Sequence, residues 1–287
     1  MNAIRGDDQV LPAMRVAAVV VVAVLVPALV ILWGLPTRTD DLWAWTINAP
    51  LTPIFMGAGY GAGAYFFLRV YRATRWHEVG VGVISAAAFA LLMLITTIIH
   101  YDKFNHGDAP VLAAVAFYGW TIVYILSPFV VAWLWWVNER EDTRVPGAGE
   151  RIVPPAIRLV ARGAGSGALL VATLVLLFPE IAIDHWGWTL TPLTARVLAC
   201  FTAQVGFGFL LLSRDPRWSA WRVLMQTFLI AVGLLLVGAA RAWDDFDTDN
   251  LLTWAYVIGL AGAALALLAL YRSMERADRS ATIVDPG

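Results

Sequence analysis

The sequence predicts an all-α integral membrane protein that crosses a lipid bilayer eight times, as a tandem parallel duplication of a four-helix unit. Hydrophobic residues make up 60% of the 287 positions and charged residues 14%, whereas soluble domains have roughly 45–50% and 25%. The apolar residues are gathered into eight blocks that are nearly free of charge. The two halves of the chain also carry matching segments in the same order, which indicates the duplication.

Each apolar block is long enough for a helix that crosses the ~30 Å hydrocarbon core of a bilayer. Lipid offers no hydrogen-bond partner to the backbone, and the alternating pattern of barrel strands is absent, so the blocks are predicted to be helices. The first block is predicted to be a retained span, because no small-residue cleavage site follows it. The blocks cover residues 16–35, 53–70, 79–99, 111–137, 165–183, 193–212, 223–240 and 251–271.

The cationic residues predict the orientation of the spans. Of the 20 Lys and Arg residues, only Arg38, Lys103, Arg196 and Arg241 fall on one side of the predicted membrane, and that side is rich in aspartate. Because Lys and Arg collect on the cytoplasmic side, both termini and the linker at residues 138–155 are predicted to be cytoplasmic. The protein is therefore expected in the cell (inner) membrane, with an acidic outer face.

Two similar segments indicate the internal duplication. Residues 36–46 read PTRTDDLWAWT and residues 179–189 read PEIAIDHWGWT. Similarly, Arg72, Arg75 and Trp76 are followed 142 positions later by Arg214, Arg217 and Trp218. A four-span unit has an even number of crossings, so the two copies are expected to be parallel. The predicted division is a first repeat at 1–137, a linker with the start of the second half at 138–164, and a second repeat with a short cytoplasmic tail at 165–287.

The second block contains two overlapping G-x-x-x-G pairs. Gly57 and Gly61 form one pair and Gly59 and Gly63 the other. Small residues at this spacing let two membrane helices approach closely. Helix packing is the favoured interpretation, and the alternative is that the glycines line a path for a substrate.

The chain has 14 tryptophans. Most of them map to the ends of the spans, where tryptophan commonly anchors a helix at the membrane interface. Belts of anchoring side chains are therefore expected on both sides. Trp120 is the exception, because it lies well inside a span.

Catalytic and cofactor motifs are not recognisable in this sequence. Ionisable residues are nearly absent from the span centres, which argues against a pump built on a carboxylate relay within the membrane. The four histidines include no pair on facing helices, which argues against a haem b protein. We expect no cofactor and no nucleic-acid partner, and a non-enzymatic function is favoured over an enzymatic one. The lipid bilayer is the partner that the composition implies.

Histidine and aspartate side chains collect on the predicted outer face. Imidazole and carboxylate groups together can hold a divalent metal. The spacings match no metal motif, so loop residues exposed to water are the favoured interpretation, and no metal site is assigned. The residues in question are His100, His106, His185, Asp102, Asp108 and Asp184.

Two stretches carry a resemblance to known sequences. The stretch 100–128 begins HYDKFN and continues with Trp120, Tyr124 and Pro128, and residues 188–196 read WTLTPLTAR. Both resemble patterns in bacterial multi-span membrane proteins that have no assigned function. The resemblance implies a fold of about eight spans and supplies no activity, cofactor or site residue.

The candidate site is placed where the two copies differ. His100 and Arg241 occupy nearly equivalent depths in the two halves without matching each other, and Arg196 enters the sixth span from the same side. We expect these three residues, with Asp102 and Asp244, to border one outer polar pocket between the repeats. Charge pairing there would offset the cost of placing them at the membrane edge.

Three functions remain open at this point. The favoured one is binding or transport of a small molecule or cation through an outer pocket between the repeats. The second is a membrane enzyme or assembly factor that uses His100 and nearby outer carboxylates. The third is a non-catalytic accessory subunit that docks on a protein partner through an exposed helix face.

Overall fold

The computed structural model describes residues 8–107, 109–140, 142, 145–147 and 149–282. This part of the chain forms eight long helices, with short helices at Thr39–Leu42 and Glu180–Ile183. The long helices are α1 Pro12–Leu29, α2 Leu51–Arg72, α3 Gly80–Ile99, α4 Val111–Glu139, α5 Pro155–Leu177, α6 Pro192–Leu212, α7 Trp218–Arg241 and α8 Leu251–Thr282. Helix α1 contains Pro27 and passes directly into a π-helical segment, Val30–Gly34.

Seven helices in the described part of the chain are long and apolar enough to cross a membrane, namely all but α2. The chain therefore has the helices of a multi-pass membrane protein. Helix α2 has 22 residues, which is long enough. It falls outside the set because its glycines, tyrosines and arginines lower its mean hydropathy.

The helices pack in the same way within each half of the chain. Helix α1 lies on α2 and α3 on α4 in the first half, and α5 lies on α6 and α7 on α8 in the second. Between the halves, α2 packs on α7 and α3 packs on α6. Four central helices, α2, α3, α6 and α7, are therefore flanked by the other four.

One end of the bundle gathers the segments that precede α1, α3, α5 and α7, and we call it the arginine-rich end. The amide of Trp76 donates to the carbonyl of Asp8 at 2.7 Å, and that of Trp218 donates to Arg151 at 2.8 Å. The amide of Leu11 donates to Asn138 Oδ1 at 3.0 Å. These bonds hold the start of α1 and the α4–α5 linker at the same end as the turns that follow α2 and α6.

The opposite end contains the segments that follow α1, α3, α5 and α7, and we call it the acidic end. Backbone hydrogen bonds also connect these segments. The amide of Asn105 donates to the carbonyl of Ala44 at 2.7 Å, and the amide of Asp247 donates to the carbonyl of Gly187 at 2.8 Å. In each half, the connection after the third long helix is thereby tied to the connection after the first. The two ends of the bundle are thus closed by backbone contacts within each half.

Several helices extend beyond the apolar blocks from which the spans were predicted. Helix α5 begins at Pro155, well before residue 165, and α8 continues to Thr282 instead of ending near residue 271. Arg158 and Arg162 lie in the early turns of α5. A span predicted from hydropathy ends at the first charged residues. The helix itself continues through these residues when their side chains can reach water.

The prediction that the tryptophans form interfacial belts was wrong for six of them. They are buried in the bundle because other elements cover them, and several indole N–H groups find partners there. Trp76 donates to Glu139 at 3.0 Å, Trp218 to Glu275 at 2.9 Å and Trp188 to Thr52 at 2.9 Å. The buried six are Trp43, Trp45, Trp76, Trp188, Trp218 and Trp221, whereas Trp133, Trp136 and Trp254 are exposed as a belt requires.

Candidate functional site

At the acidic end, the structure brings together two of the five residues predicted to form a pocket. His100 follows the last residue of α3, and Arg196 lies in the second turn of α6. The Arg196 guanidinium donates to His100 Nε2 at 2.9 Å, and its Nε donates to the carbonyl of Leu176 at 2.9 Å. Burial, and then the charge of Arg196, lowers the pKa of His100. A neutral imidazole is the form that can accept this bond.

The other three predicted residues have different surroundings. Arg241 donates to the carbonyl of Trp33 at 2.8 Å and stacks on its ring, with 4.3 Å from the guanidinium carbon to the ring centroid. Asp102 pairs with Lys103 at 2.8 Å, and both side chains are exposed. Asp244 is exposed. That all five residues border one outer pocket stays a prediction.

Arg196 and Arg241 each bind a backbone carbonyl near the carboxyl end of a helix. Arg196 binds a carbonyl near the end of α5, and Arg241 binds one near the end of the π-helical segment after α1. A cation at the carboxyl end of a helix is favourable because the terminal carbonyls carry partial negative charge. Each first helix of a half is therefore capped by an arginine, although the two arginines come from different positions.

The histidines and carboxylates that were predicted to lie on the outer face do not form a metal cluster among the residues that the structure describes. Asp108, one of the aspartates considered above, lies outside the described residues. His106 stacks on Tyr101 with 5.3 Å between ring centroids, and His185 contacts the carbonyl of Ile181. No metal is therefore assigned to this end.

A cavity of about 260 Å³ lies among the four central helices, between the two halves. Its wall is mostly apolar, with aromatic rings, aliphatic side chains and small residues. Side chains from α2, α3, α6 and α7 surround it, and α5 contributes Ala168. The lining includes Phe55, Gly59, Ala62, Gly63, Phe66, Gly82, Ser85, Phe201, Thr202, Gln204, Gly208, Leu224, Thr227, Phe228 and Leu235.

Gln204 is the polar side chain of this wall whose hydrogen-bonding capacity is unused. Thr202 donates to the carbonyl of its own helix four residues earlier, at 3.0 Å, and Ser85 and Thr227 do the same at 2.7 and 2.9 Å. Gln204 makes no hydrogen bond with any described residue. Its amide therefore offers one donor group and one acceptor group to a molecule in the cavity.

Gln226, by contrast, uses its side-chain amide to connect neighbouring helices. Its Oε1 accepts a hydrogen bond from Tyr65 at 2.7 Å and another from Arg69, and its amide donates to Tyr271 at 2.7 Å. Gln226 thus bridges α2, α7 and α8. Both glutamines lie within apolar segments, and among the described residues only Gln226 bridges helices.

The glycines of α2 divide between packing and the cavity. A Cβ atom on Gly57 would lie 2.7 Å from the backbone nitrogen of Trp33, so Gly57 permits close packing on the end of α1. A Cβ atom on Gly59 would lie 2.3 Å from the ring of Phe201, and both residues line the cavity. Gly63 lines it too. Gly57 therefore supports the packing interpretation, whereas a path for a substrate along the strip stays a prediction.

Equivalent positions of the two halves meet at this cavity. Several pairs of residues that are 142 positions apart, the spacing from which a duplication was predicted, face the same space. Gly59 corresponds to Phe201, Ala62 to Gln204, Phe66 to Gly208 and Ser85 to Thr227, and all eight line the cavity. The two residues of each pair differ in size or polarity, so the two halves contribute different side chains to the wall.

A second contact between the halves, at the arginine-rich end, was not predicted from the sequence. His77 Nε2 lies 2.9 Å from Ser219 Oγ, and His77 Nδ1 contacts the carboxylate of Asp8. The Ser219 hydroxyl donates to Glu150 at 2.9 Å, and the Ser219 amide donates to the same carboxylate at 3.1 Å. The spacing of 142 residues could have indicated this contact, because it separates Asp8 from Glu150 and His77 from Ser219.

The order Asp8–His77–Ser219 resembles a catalytic triad, but the hydrogen bonds assign it a structural role. In a triad, the histidine accepts the serine proton. Here the Ser219 hydroxyl already donates to Glu150, so His77 donates to Ser219. The four side chains therefore link the two halves of the chain.

Comparisons of the chain with models of protein families, with curated proteins and with solved structures give no match. The functional interpretation therefore rests on the geometry above.

Proposed function

We propose that this chain is an eight-span membrane protein of two parallel repeats, which binds a small, largely apolar molecule in the cavity between them. The observation that carries this proposal is the free amide of Gln204 in an otherwise apolar wall of about 260 Å³. Transporters with parallel repeats place their substrate sites at the repeat interface near mid-membrane. A cavity between the two halves of this chain supports a corresponding site here.

The contacts of α2 support its assignment as the eighth span. Arg15 lies in the first turn of α1. Its guanidinium donates to the carbonyl of Tyr71, in the last turn of α2, at 2.6 Å, and to the carbonyl of Ala73, just after α2, at 2.8 Å. Gly57, in the second turn of α2, packs on Trp33 near the end of the helical segment that continues α1. Helix α2 therefore runs back along α1 for its full length, with its polarity reduced by burial among α1, α6 and α7.

The recurrence of element order supports the duplication. Each half has a long helix, a short helix, two long helices joined by a tight turn, and a final long helix. The paired backbone contacts at both ends also recur, with donors 142 positions apart and acceptors 143 positions apart. The excess of arginine at one end supports a cytoplasmic location for that end, with the acidic end outside.

The dimensions and chemistry of the cavity define the ligand class. An apolar cavity of ~150 Å³ accepts benzene, so the larger space here suits a bicyclic aromatic or a compact aliphatic molecule. One hydroxyl or carbonyl group on the ligand would pair with Gln204. A charged ligand is disfavoured, because no ionisable side chain lines the described wall.

Photolabelling with a diazirine derivative of 1-naphthol tests this function. The purified protein in lipid nanodiscs would be illuminated, digested and examined for labelled peptides, with unmodified 1-naphthol as competitor. We expect competable labelling of residues 201–208 in α6. Gln204→Leu should weaken competition about fivefold or more, since one buried hydrogen bond contributes ~0.5–1.5 kcal/mol and the lost polar partner adds to this.

Gln226→Leu is the matched control, because it removes a glutamine that bridges helices outside the cavity wall. It should lower thermal stability and leave the competition by 1-naphthol unchanged. Equal effects of the two substitutions, or labelling confined to lipid-exposed faces, would contradict the proposed site.

A further inference from the structure

A second cavity, of about 200 Å³, lies at the arginine-rich end between the α4–α5 linker and helices α2, α7 and α8. Unlike the central cavity, it is lined mainly by charged side chains. Three arginines and three glutamates face it, together with Trp218 and Ser219. The charged residues are Arg69, Arg151, Arg222, Glu78, Glu150 and Glu275.

Two of the three glutamates accept hydrogen bonds from groups of the protein on both of their oxygens. Glu275 accepts one hydrogen bond from Trp218 at 2.9 Å and one from Arg222 at 2.6 Å, each on a different oxygen. Both oxygens of Glu150 accept hydrogen bonds from Ser219. These carboxylates hold the wall in place, and because they only accept hydrogen bonds they supply no donor to a ligand.

The arginines, by contrast, keep unused donors. Arg151 has a buried Nη1 atom with no partner among the described residues, which is costly for a charged group. The hydrogen bonds of Arg69 to Tyr65 and Gln226 all come from Nη1. The Nε and Nη2 atoms of Arg69, which lines the cavity, therefore have no partner among the described residues. The unused capacity of this wall is mainly that of cationic N–H donors.

The third glutamate, Glu78, controls the net charge of the cavity. It makes no hydrogen bond with a described residue, and burial raises its pKa, which His77, Arg75 and Arg69 partly oppose. With Glu78 ionised, the six charged groups balance; with Glu78 protonated, they carry one net positive charge. A ligand with a single negative charge then completes the balance.

We propose that this cavity binds a phosphate group carrying one negative charge, the phosphodiester of an anionic membrane lipid. Guanidinium groups match phosphate oxygens in geometry and charge. Arg69 lies in the last turn of α2 and Arg222 in the second turn of α7. These positions are at the end of membrane-length helices, where lipid headgroups lie. The site is independent of the central cavity and of any ligand bound there.

Native mass spectrometry of the detergent-purified protein, titrated with phosphatidylglycerol, tests the proposal. We expect one lipid to bind more tightly than the rest. Arg151→Ala should weaken that first binding about tenfold, the effect of one lost charge-assisted hydrogen bond. Arg72→Ala removes an exposed arginine at the same end that does not line the cavity, and it should change the binding less than about twofold.

The Glu78→Gln variant distinguishes loss of the binding site from misfolding of the Arg151→Ala variant. Removing this carboxylate should tighten the first binding about threefold at pH 8, a gain that structural damage would not produce. A parallel titration with inorganic phosphate distinguishes the source of the group. Displacement of the lipid by millimolar phosphate would support the phosphate site and assign it to a soluble ligand. Equal binding by the Arg151→Ala and Arg72→Ala variants, with no gain for Glu78→Gln, would overturn the proposal.

Discussion

At the scale of single residues, the hydrogen bond between Arg196 and His100 joins α6 to α3 across the two halves. It requires a neutral imidazole, because Nε2 accepts from the guanidinium. One turn deeper on the same two helices, Thr96 Oγ1 lies 3.5 Å from Cys200 Sγ. Protonation of His100 would place two cations in contact at a buried position and would remove the acceptor.

This pair predicts a dependence of stability on pH. The pKa of His100 in the folded protein is below the ordinary value of 6.5. Between that value and the folded pKa, the unfolded chain binds a proton that the folded chain does not, so stability falls as the pH drops below about 6.5. Above that pH, the contribution of the neutral histidine is fully present.

Melting temperatures of the detergent-solubilised protein from pH 8 to pH 5 measure this effect. His100→Gln should flatten the decrease, because glutamine accepts the same hydrogen bond at every pH. His106→Gln, which changes an exposed histidine of the same loop, should keep the wild-type profile. A His100→Gln variant whose melting temperature falls as steeply as that of the wild type would contradict this role.

The sequence predicted which polar residues matter at this scale better than it predicted their partners. His100 and Arg196 were both placed at the acidic end, and the structure joins them. Arg241 was placed there too, but its guanidinium binds the carbonyl and the ring of Trp33. Gln204 and Gln226 look alike in sequence. Only the rotation of each helix against its neighbours decides that one bridges helices and the other faces a cavity.

At the scale of helices, the closest approach in the second half is between α5 and α6. A Cβ atom on Gly165 would lie 2.8 Å from the carbonyl oxygen of Gly206 and 2.8 Å from the amide nitrogen of Leu210. Both obstacles are backbone atoms, which cannot rotate away as a side chain can. The contact is reciprocal, since a Cβ atom on Gly206 would lie 2.9 Å from the Gly165 oxygen.

Gly165→Ala should therefore separate α5 from α6 and destabilise the protein by about 1–3 kcal/mol, the usual cost of overpacking. Gly163→Ala and Gly167→Ala are matched controls on the same helix, because their Cβ atoms would meet nothing within 4 Å. Thermal unfolding of the three variants in one detergent measures the difference. If all three melt together, the close packing of these helices is refuted.

Of the eight spans that the sequence predicted, seven correspond to described helices that are apolar and long enough to cross a membrane, because hydropathy detects what lipid requires. It located their ends less well. Helix α5 begins at Pro155 because its first turns are amphipathic, and the short helices Thr39–Leu42 and Glu180–Ile183 are too brief to leave a periodic pattern. The weak apolar character of α2 has the opposite cause: a helix surrounded by protein does not need a lipid-facing surface.

At the scale of the whole molecule, the two halves enclose the central cavity with positions that match in sequence. The matches at a spacing of 142 residues indicated a duplication, and the same spacing relates residues across the cavity and across the contact between His77 and Ser219. The cavity itself was not predictable, because it depends on the distance between helices that are far apart in sequence. Its depth in the membrane depends on α2 crossing the bilayer.

Cysteine accessibility tests that arrangement most directly. In a Cys200→Ala background, single cysteines at exposed positions on either side of α2 and α6 would be exposed to a membrane-impermeant maleimide in intact cells. We expect the Asp40→Cys and His185→Cys variants to react at once. The Thr74→Cys and Arg214→Cys variants should react only after permeabilisation. Reaction of the Thr74→Cys variant from the same side as the Asp40→Cys variant would contradict a membrane crossing by α2, and with it the parallel repeats and the cavity between them.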